Sequence, residues 1–158
     1  YVYINALSKG GLRLGNGVNL GKYCRIECTG SLANLGVGVV LEDGVGLNSN
    51  CFIGGAGGVY IAKDTIVGEL VTFHSENHNF HSHETPIKLQ GVSRKGISIG
   101  MGCWIGAKAT ILDGATIGDG CVIAAGALVT KGNYKANSIY AGVPAKFVKV
   151  RENLENIR

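Results

Sequence analysis

All four histidines of the chain fall in one short stretch, at His74, His78, His81 and His83. Imidazole is the side chain that titrates near neutral pH, and it is the commonest general acid or base in proteins. A neutral imidazole can take the proton of a hydroxyl while that oxygen attacks a carbonyl group. The clustering therefore marks this stretch as the candidate site of chemistry. Solvent-facing loop histidines are the alternative, above all for His81 and His83.

The residues that follow the histidines repeat with a period of six. An apolar residue leads each repeat, and a small residue stands four places later. Such a hexapeptide repeat predicts a parallel β-helix, in which three short strands make one triangular rung of about eighteen residues. The fold class is thus all-β, with the lead residue filling the prism. The lead residues here are Ile99, Ile105, Ile111, Ile117, Ile123 and Val129.

The same period runs through most of the chain with interruptions. Sixteen lead positions between Leu14 and Val129 correspond to about five rungs, and the slips before Leu35 and Ile61 are interpreted as bulges or small loops at corners. Between Phe73 and Ile99 the period stops, so residues 74–98 are predicted to form a functional loop. We expect one β-helix domain over residues 1–150. Residues 151–158 are expected to form a charged tail, which could fold as a short helix that covers the last rung.

Composition and cysteine positions narrow the class of protein. Four of the five cysteines, Cys24, Cys51, Cys103 and Cys121, occupy small inward positions, where reduced and buried thiols of a cytoplasmic protein are expected. The net charge of +4 is diffuse, which argues against a nucleic-acid partner. No apolar run is long enough for a membrane span, and no signal peptide is visible. The sequence begins at Tyr1 and leaves open what precedes it.

Two segments resemble a known family. Residues 99–131, followed by Tyr-Ala-Gly-Val-Pro-Ala-Lys at 140–146, resemble the left-handed β-helix, hexapeptide-repeat acyltransferases. Residues 72–80 are similar to the histidine loop of the sugar O-acetyltransferase branch of that family. The resemblance implies a homotrimer with active sites between subunits. It also implies acetyl-CoA as donor, a saccharide hydroxyl as acceptor, direct transfer and no metal.

The resemblance also implies roles for individual residues. His78 matches the general base, with His74 as its rival, and Asn48 matches an asparagine that lines the acceptor site but could equally be a turn residue. Asn79 stands where the galactoside and maltose enzymes have proline, so their substrates do not carry over, and enzymes that decorate polysaccharides are the closer match. The implied substrate-binding residues are Asn48, His74, Phe80 and Trp104, and the implied cofactor-binding residues are Ala107, Ala125, Thr130, Lys131 and Lys146.

Two other functions fit a β-helix. A γ-class carbonic anhydrase would place three histidines on zinc, with one ligand on a rung well before a close pair, but no histidine precedes His74. A non-catalytic β-helix scaffold would have no use for four histidines in one loop. An acetyltransferase is therefore the favoured hypothesis.

Overall fold

The chain folds into a triangular prism of stacked rungs, described by a computed structural model over residues 1–152. Each rung contributes one strand to each of three parallel sheets, and the three sheets form the prism faces. Sheets 1 and 2 contain six strands each. Sheet 3 has six parallel strands and a seventh, antiparallel strand at its end. The parallel coil is the one predicted from the hexapeptide repeat, and it is the left-handed β-helix that the family resemblance implies.

The strands are short, two to five residues each, as tight corners require. In chain order, with semicolons between rungs, they are β1 (Tyr3–Asn5), β2 (Leu12–Leu14), β3 (Asn19–Leu20); β4 (Arg25–Glu27), β5 (Gly30–Ser31), β6 (Asn34–Leu35), β7 (Val39–Leu41), β8 (Gly46–Leu47); β9 (Phe52–Gly54), β10 (Val59–Ile61), β11 (Ile66–Val67); β12 (Thr72–His74), β13 (Asn77–His78), β14 (Val92–Ser93), β15 (Ile97–Ile99), β16 (Trp104–Ile105); β17 (Thr110–Leu112), β18 (Ala115–Ile117), β19 (Val122–Ile123); β20 (Leu128–Val129), β21 (Gly132–Tyr134), β22 (Ser138–Ala141); and the antiparallel β23 (Lys146–Val150). A single 3-10 turn, Ile87–Leu89, lies between β13 and β14.

The lead residues of the repeat stack directly on one another along each sheet. In sheet 1, for example, Ile53 pairs with Phe73, and Phe73 pairs with Ile111. These side chains have no solvent-exposed area. Full burial of one such side chain stabilises the fold by roughly 1.5–3 kcal/mol. The prediction that the lead residues fill the prism is confirmed for residues 99–129, and the small residues four places later are buried as well.

The corners explain much of the glycine content. At the corner between sheets 2 and 3, one residue in every rung adopts a positive φ, which glycine, asparagine and aspartate tolerate best. These stacked residues are Gly17, Gly44, Asp64, Gly102, Gly120 and Asn137, with φ between +52° and +70°.

Three expectations from the period are corrected by the structure. Leu35 is not a core residue, because it lies in a hairpin formed by β5 and β6 at a corner. Leu14 is 47% exposed, since its rung is the first of the stack and has no neighbour on one side. The loop is shorter than 74–98 at both ends, because His74 belongs to β12 and residues 97–98 belong to β15. The strand Tyr3–Asn5 also belongs to the rung of Leu14, as its first strand, and the lead positions did not include it.

The last rung is closed by aromatic residues rather than aliphatic ones. Tyr134 and Tyr140 take the lead positions, and their rings meet edge to face at 4.8 Å between centroids. The Tyr134 hydroxyl donates to the Thr130 carbonyl, and the Tyr140 hydroxyl accepts from the Lys135 N–H. This end is therefore covered by paired tyrosines and β23. The helix predicted within 151–158 falls largely on residues 153–158, outside the described part of the chain.

All five cysteines are buried and free of disulfide bonds. Cys103 and Cys121 lie one rung apart, as their spacing predicts, and each thiol donates to a backbone carbonyl, of Gly118 and Lys135 respectively. Within residues 1–152, no helix has the length and apolar character needed to cross a membrane.

Candidate active site

The site is built at the corner between sheets 1 and 2, where two segments leave the prism. One is the hairpin, residues 29–36, which contains β5 and β6. The other is the histidine loop, residues 75–96, which joins β12 to β15. The hairpin and the histidine loop leave from this same corner of the stack, so they lie on the same edge of the prism.

The histidine loop has an ordered internal structure. Strands β13 and β14 form an antiparallel ribbon in which His78 pairs with Val92. Beyond the ribbon, the Asn79 N–H donates to the Gly91 carbonyl at 3.0 Å. The Gln90 side chain closes the outer turn, because its amide nitrogen donates to the carbonyls of Ser82 and Thr85 at 2.9 and 2.7 Å. His78 is therefore held by backbone pairing.

Two buried polar side chains attach the loop to the prism. Ser75, which is 1% exposed, donates to the Gly54 carbonyl at 2.6 Å and accepts from the Gly57 N–H at 2.8 Å. Asp113 follows β17, and its Oδ1 accepts from the N–H groups of Lys95 and Gly96, both at 2.7 Å. Both ends of the loop are thus bound to the β-helix.

His78 lines a cavity of about 370 Å³ that is formed by the ribbon together with residues of the next two rungs of the prism. Two cations, Lys95 and Lys131, lie on its wall with the carboxyl group of Asp113. Phe80 supplies an apolar surface, and its ring stacks with that of His81 at 5.5 Å. The full lining is Asn77, His78, Asn79, Phe80, His81, Ser93, Lys95, Leu112, Asp113 and Lys131. Three of the predicted site residues, His78, Phe80 and Lys131, are therefore brought together.

His74 lies elsewhere, at the end of β12. Its ring lies 5.5 Å from that of Phe52, and the resulting loss of hydration lowers the pKa of the imidazole. It lines a separate, smaller cavity of about 170 Å³, together with Glu27, Thr29 and Glu76. The two rival histidines thus face different cavities.

The remaining predicted residues lie on other parts of the prism. Asn48, Ala107 and Ala125 are at the corner between sheets 3 and 1, and Trp104 projects from sheet 3 with 54% exposure. The Asn48 amide oxygen accepts from the Ser49 N–H at 2.7 Å, as a turn asparagine would. Among the described residues, the N–H groups of Ala107 and Ala125 donate to no protein atom. These residues and His78 are at different corners of the same chain.

Thr130 and Lys146 are close to the closed end of the prism. The Thr130 N–H donates to the Tyr134 hydroxyl at 3.1 Å, so its amide already has a partner. Lys146 is exposed at the start of β23. Thr130 and Lys131 directly follow β20, at the corner between sheets 1 and 2.

Two features of this region were not predicted from the sequence. The first is the contact of the hairpin with the histidine loop, because the slip before Leu35 predicted only a bulge or small loop at this corner. The second is Asp113, whose only trace in the sequence is a carboxylate at the short corner between β17 and β18. Across residues 1–152, no group of three histidine, cysteine or acidic side chains is arranged to hold a metal ion.

Comparisons with known proteins agree with this architecture. Residues 96–131 match the family model described as bacterial transferase hexapeptide (six repeats). A curated relative is the putative lipopolysaccharide biosynthesis O-acetyl transferase WbbJ of Escherichia coli K12, 29% identical over 122 residues. The match covers 72% of this chain and 62% of that protein, so the chain spans less than two thirds of the length of its relative.

Solved structures share the fold over most of the chain. A maltose O-acetyltransferase from Clostridium difficile 630 has a TM-score of 0.77 and 23% identity, covering 89% of this chain and 70% of its own. A galactoside acetyltransferase in complex with coenzyme A has a TM-score of 0.75 and 26% identity, covering 91% of this chain and 67% of its own. Residues 96–131 thus match a hexapeptide-repeat model, and the chain shares the left-handed β-helix fold of hexapeptide-repeat acetyltransferases.

Proposed function

We propose that the protein transfers an acetyl group from acetyl-CoA to a hydroxyl of a saccharide or polysaccharide precursor. One observation carries the proposal. The histidine loop holds His78 by backbone pairing at a cavity that also contains Lys131 and Phe80. The O-acetyltransferase relative and the coenzyme A complex of a similar structure point to the same chemistry.

His78 acts as the general base in this proposal. A saccharide hydroxyl is a weak nucleophile, so the neutral imidazole takes its proton while the oxygen attacks the thioester carbonyl. The C–S bond of the tetrahedral intermediate then breaks, and the imidazolium returns the proton to the departing thiolate of CoA. No acyl-enzyme is formed. The oxyanion needs hydrogen-bond donors, and the Asn48 amide is the candidate donor.

The donor is proposed to lie along the corner between sheets 3 and 1. The free N–H groups of Ala107 and Ala125 are placed one rung apart there, and they can donate to the amide carbonyls of the pantetheine chain. Trp104 lies on β16, the strand that leads into the corner of Ala107, and its exposed ring can form an aromatic wall there. Thr130 and Lys131 lie near the closed end at the other corner, the one that carries His78, and Lys146 supplies a cation for the nucleotide phosphates.

The division of these residues between two corners supports a homotrimer. The corner with Ala107 and Ala125 and the corner with His78 are separated by the whole of sheet 1. A complete site therefore requires the His78 corner of one copy beside the Ala107 corner of the next. Three such sites would form in a closed trimer.

The acceptor and the location of the protein follow from local chemistry. Phe80 offers an aromatic face to a sugar ring, and Asn79 offers amide hydrogen bonds beside it. His74, with Phe52 and two carboxylates nearby, is available to contact a further part of the acceptor.

Five reduced, buried cysteines fit a protein of the cytoplasm, the compartment in which acetyl-CoA is also present.

An acceptor screen tests this function. The protein would be incubated with acetyl-CoA and a panel of mono- and oligosaccharides, and free CoA thiol would be measured with a thiol reagent. We expect acceptor-dependent thiol release, with the product heavier by one acetyl group in mass spectrometry. Coenzyme A binding by calorimetry is the second measurement. Absence of CoA binding at millimolar ligand would overturn the proposal in favour of a scaffold.

A further inference from the structure

Arg94 joins the hairpin to the histidine loop. Its Nε donates to Glu76 Oε2 at 2.9 Å within the loop. Its Nη1 donates to the Asn34 side-chain oxygen at 3.0 Å and to the Leu35 carbonyl at 3.2 Å, and its Nη2 donates to the Asn34 carbonyl at 3.1 Å. One guanidinium group therefore binds two segments that are sixty residues apart in the chain.

The position of Arg94 in the loop gives this contact its importance. Arg94 directly follows β14, and Glu76 directly precedes β13, the strand that carries His78. The Glu76–Arg94 pair thus closes the root of the ribbon on which His78 is held. On the other side of Arg94, the N–H groups of Lys95 and Gly96 are bound by Asp113. The orientation of the ribbon is accordingly fixed from two sides, by the hairpin and by the prism.

The surroundings of Arg94 are built for a guanidinium group. Its side chain is only 15% exposed, so its charged hydrogen bonds are shielded from water more than those of a surface ion pair. Gly30 of the hairpin has a positive φ of +67°, and a β-carbon there would collide with the Arg94 guanidinium. A planar group with five donors can serve all of these acceptors at once, whereas a lysine ammonium cannot.

We infer that Arg94 is a positioning residue: it anchors the β13–β14 ribbon, which carries His78, to the hairpin. The guanidinium touches neither the cavity of His78 nor any proposed donor site. It acts by fixing the angle at which the ribbon leaves the prism and therefore the place of the His78 imidazole. The catalytic part of this inference rests on the proposed function, while the structural part does not.

The test compares Arg94→Ala with Arg94→Lys and a matched control, Arg25→Ala. Arg25 also pairs with a glutamate, Glu27, but its side chain is 59% exposed and, within residues 1–152, its side-chain hydrogen bond goes to Glu27 and not to the hairpin or the histidine loop. Hydrogen exchange measured by mass spectrometry over residues 76–94 reports on the ribbon, and peptides from residues 97–117 serve as the internal reference. Turnover and the Kd for CoA are measured on the same samples.

In Arg94→Ala we expect amide exchange of the ribbon to rise about tenfold or more, with exchange of the reference rungs unchanged. A small displacement of a catalytic group can lower the rate on the order of 100-fold, so kcat should fall by about 10- to 100-fold while the Kd for CoA is unchanged. Arg94→Lys should be intermediate in both measurements, and Arg25→Ala should match the wild type in both.

The two parts of the inference fail in different ways. Unchanged ribbon exchange in Arg94→Ala would overturn the support by the hairpin, whatever the activity. Raised exchange with an unchanged kcat, in an enzyme that His78→Ala inactivates, would overturn the positioning role. If the wild type acetylates no acceptor, the proposed function fails, and the exchange measurement still decides whether Arg94 holds the ribbon.

Discussion

The carboxylate of Asp113 accepts a hydrogen bond from the backbone N–H of Lys95 at 2.7 Å, at the point where the histidine loop rejoins the prism. The same oxygen accepts from Gly96, and the side chain is only 3% exposed. A residue of the next rung therefore fixes the end of the loop that carries the proposed base. This contact links the stability of the β-helix to the geometry of the site.

Replacing Asp113 should therefore lower both the stability of the β-helix and the activity of the proposed site. In Asp113→Ala, two partly buried N–H groups lose a charged acceptor, which costs up to about 1–3 kcal/mol for each group left unsatisfied. We expect a lower midpoint of thermal unfolding and a reduced kcat. Asp119 is the matched control, because its Oδ1 accepts from the Met101 N–H at 2.9 Å at a corner without a loop. Asp119→Ala should lower the unfolding midpoint and leave kcat close to that of the wild type; equal loss of kcat in both variants would contradict this view.

The contribution of the prism core to stability can be tested with one buried and one exposed lead residue. Ile105 is fully buried, whereas Leu14 is 47% exposed on the first rung. Truncation to alanine at a buried position leaves a cavity, so Ile105→Ala should cost about 2–5 kcal/mol of unfolding free energy. Leu14→Ala should cost less than about 1 kcal/mol. Chemical denaturation measures both values, and a similar loss in the two variants would be inconsistent with the rung order.

The buried thiols should be unreactive in the folded protein. Burial raises the pKa of Cys51 and of Cys103 to about 11, so very little of either is thiolate at about pH 8. We expect a thiol reagent to modify almost none of the five cysteines until denaturant is added, after which all five should react. Rapid native modification of Cys103 would show that its inward position is wrong.

His74 should make stability depend on pH. Because packing against Phe52 lowers its pKa, the unfolded chain binds a proton at this residue more readily than the folded protein does. The stability associated with neutral His74 is therefore present above the ordinary histidine pKa of about 6.5 and is lost as the pH falls through it towards the folded value. The unfolding midpoint of the wild type should drop more than that of His74→Gln between about pH 8 and pH 5. Parallel curves for the two proteins would count against this assignment.

The repeat made most of the fold predictable, because a period of six determines which side chains face inward. The inward-facing side chains from Ile99 to Val129 could be assigned from the period alone. Leu35 was misplaced because its apolar type matched the period by chance, while the hairpin around it is held by contacts distant in sequence. The tyrosines of the last rung were missed because Tyr134 follows Val129 by five residues, one short of the period.

The candidate site was only partly predictable. The family resemblance singled out His78, and the structure places Phe80 and Lys131 beside it. The sequence alone could not show that His74 and His78 face different cavities, because the chain turns around the corner over the three residues between them. The contacts of Arg94 and Asp113 with the loop are tertiary, and no local spacing encodes them.

The most direct measurement of the central claim compares His78→Ala with His74→Ala in steady-state kinetics, with CoA binding measured by calorimetry. The account predicts that His78→Ala lowers kcat by about 100-fold or more, the contribution of a general base, while CoA binds as in the wild type. His83→Ala, in the same loop but outside the lining of the His78 cavity, should retain most of the activity. A kcat near that of the wild type in His78→Ala, or the large loss in His74→Ala alone, would contradict the account.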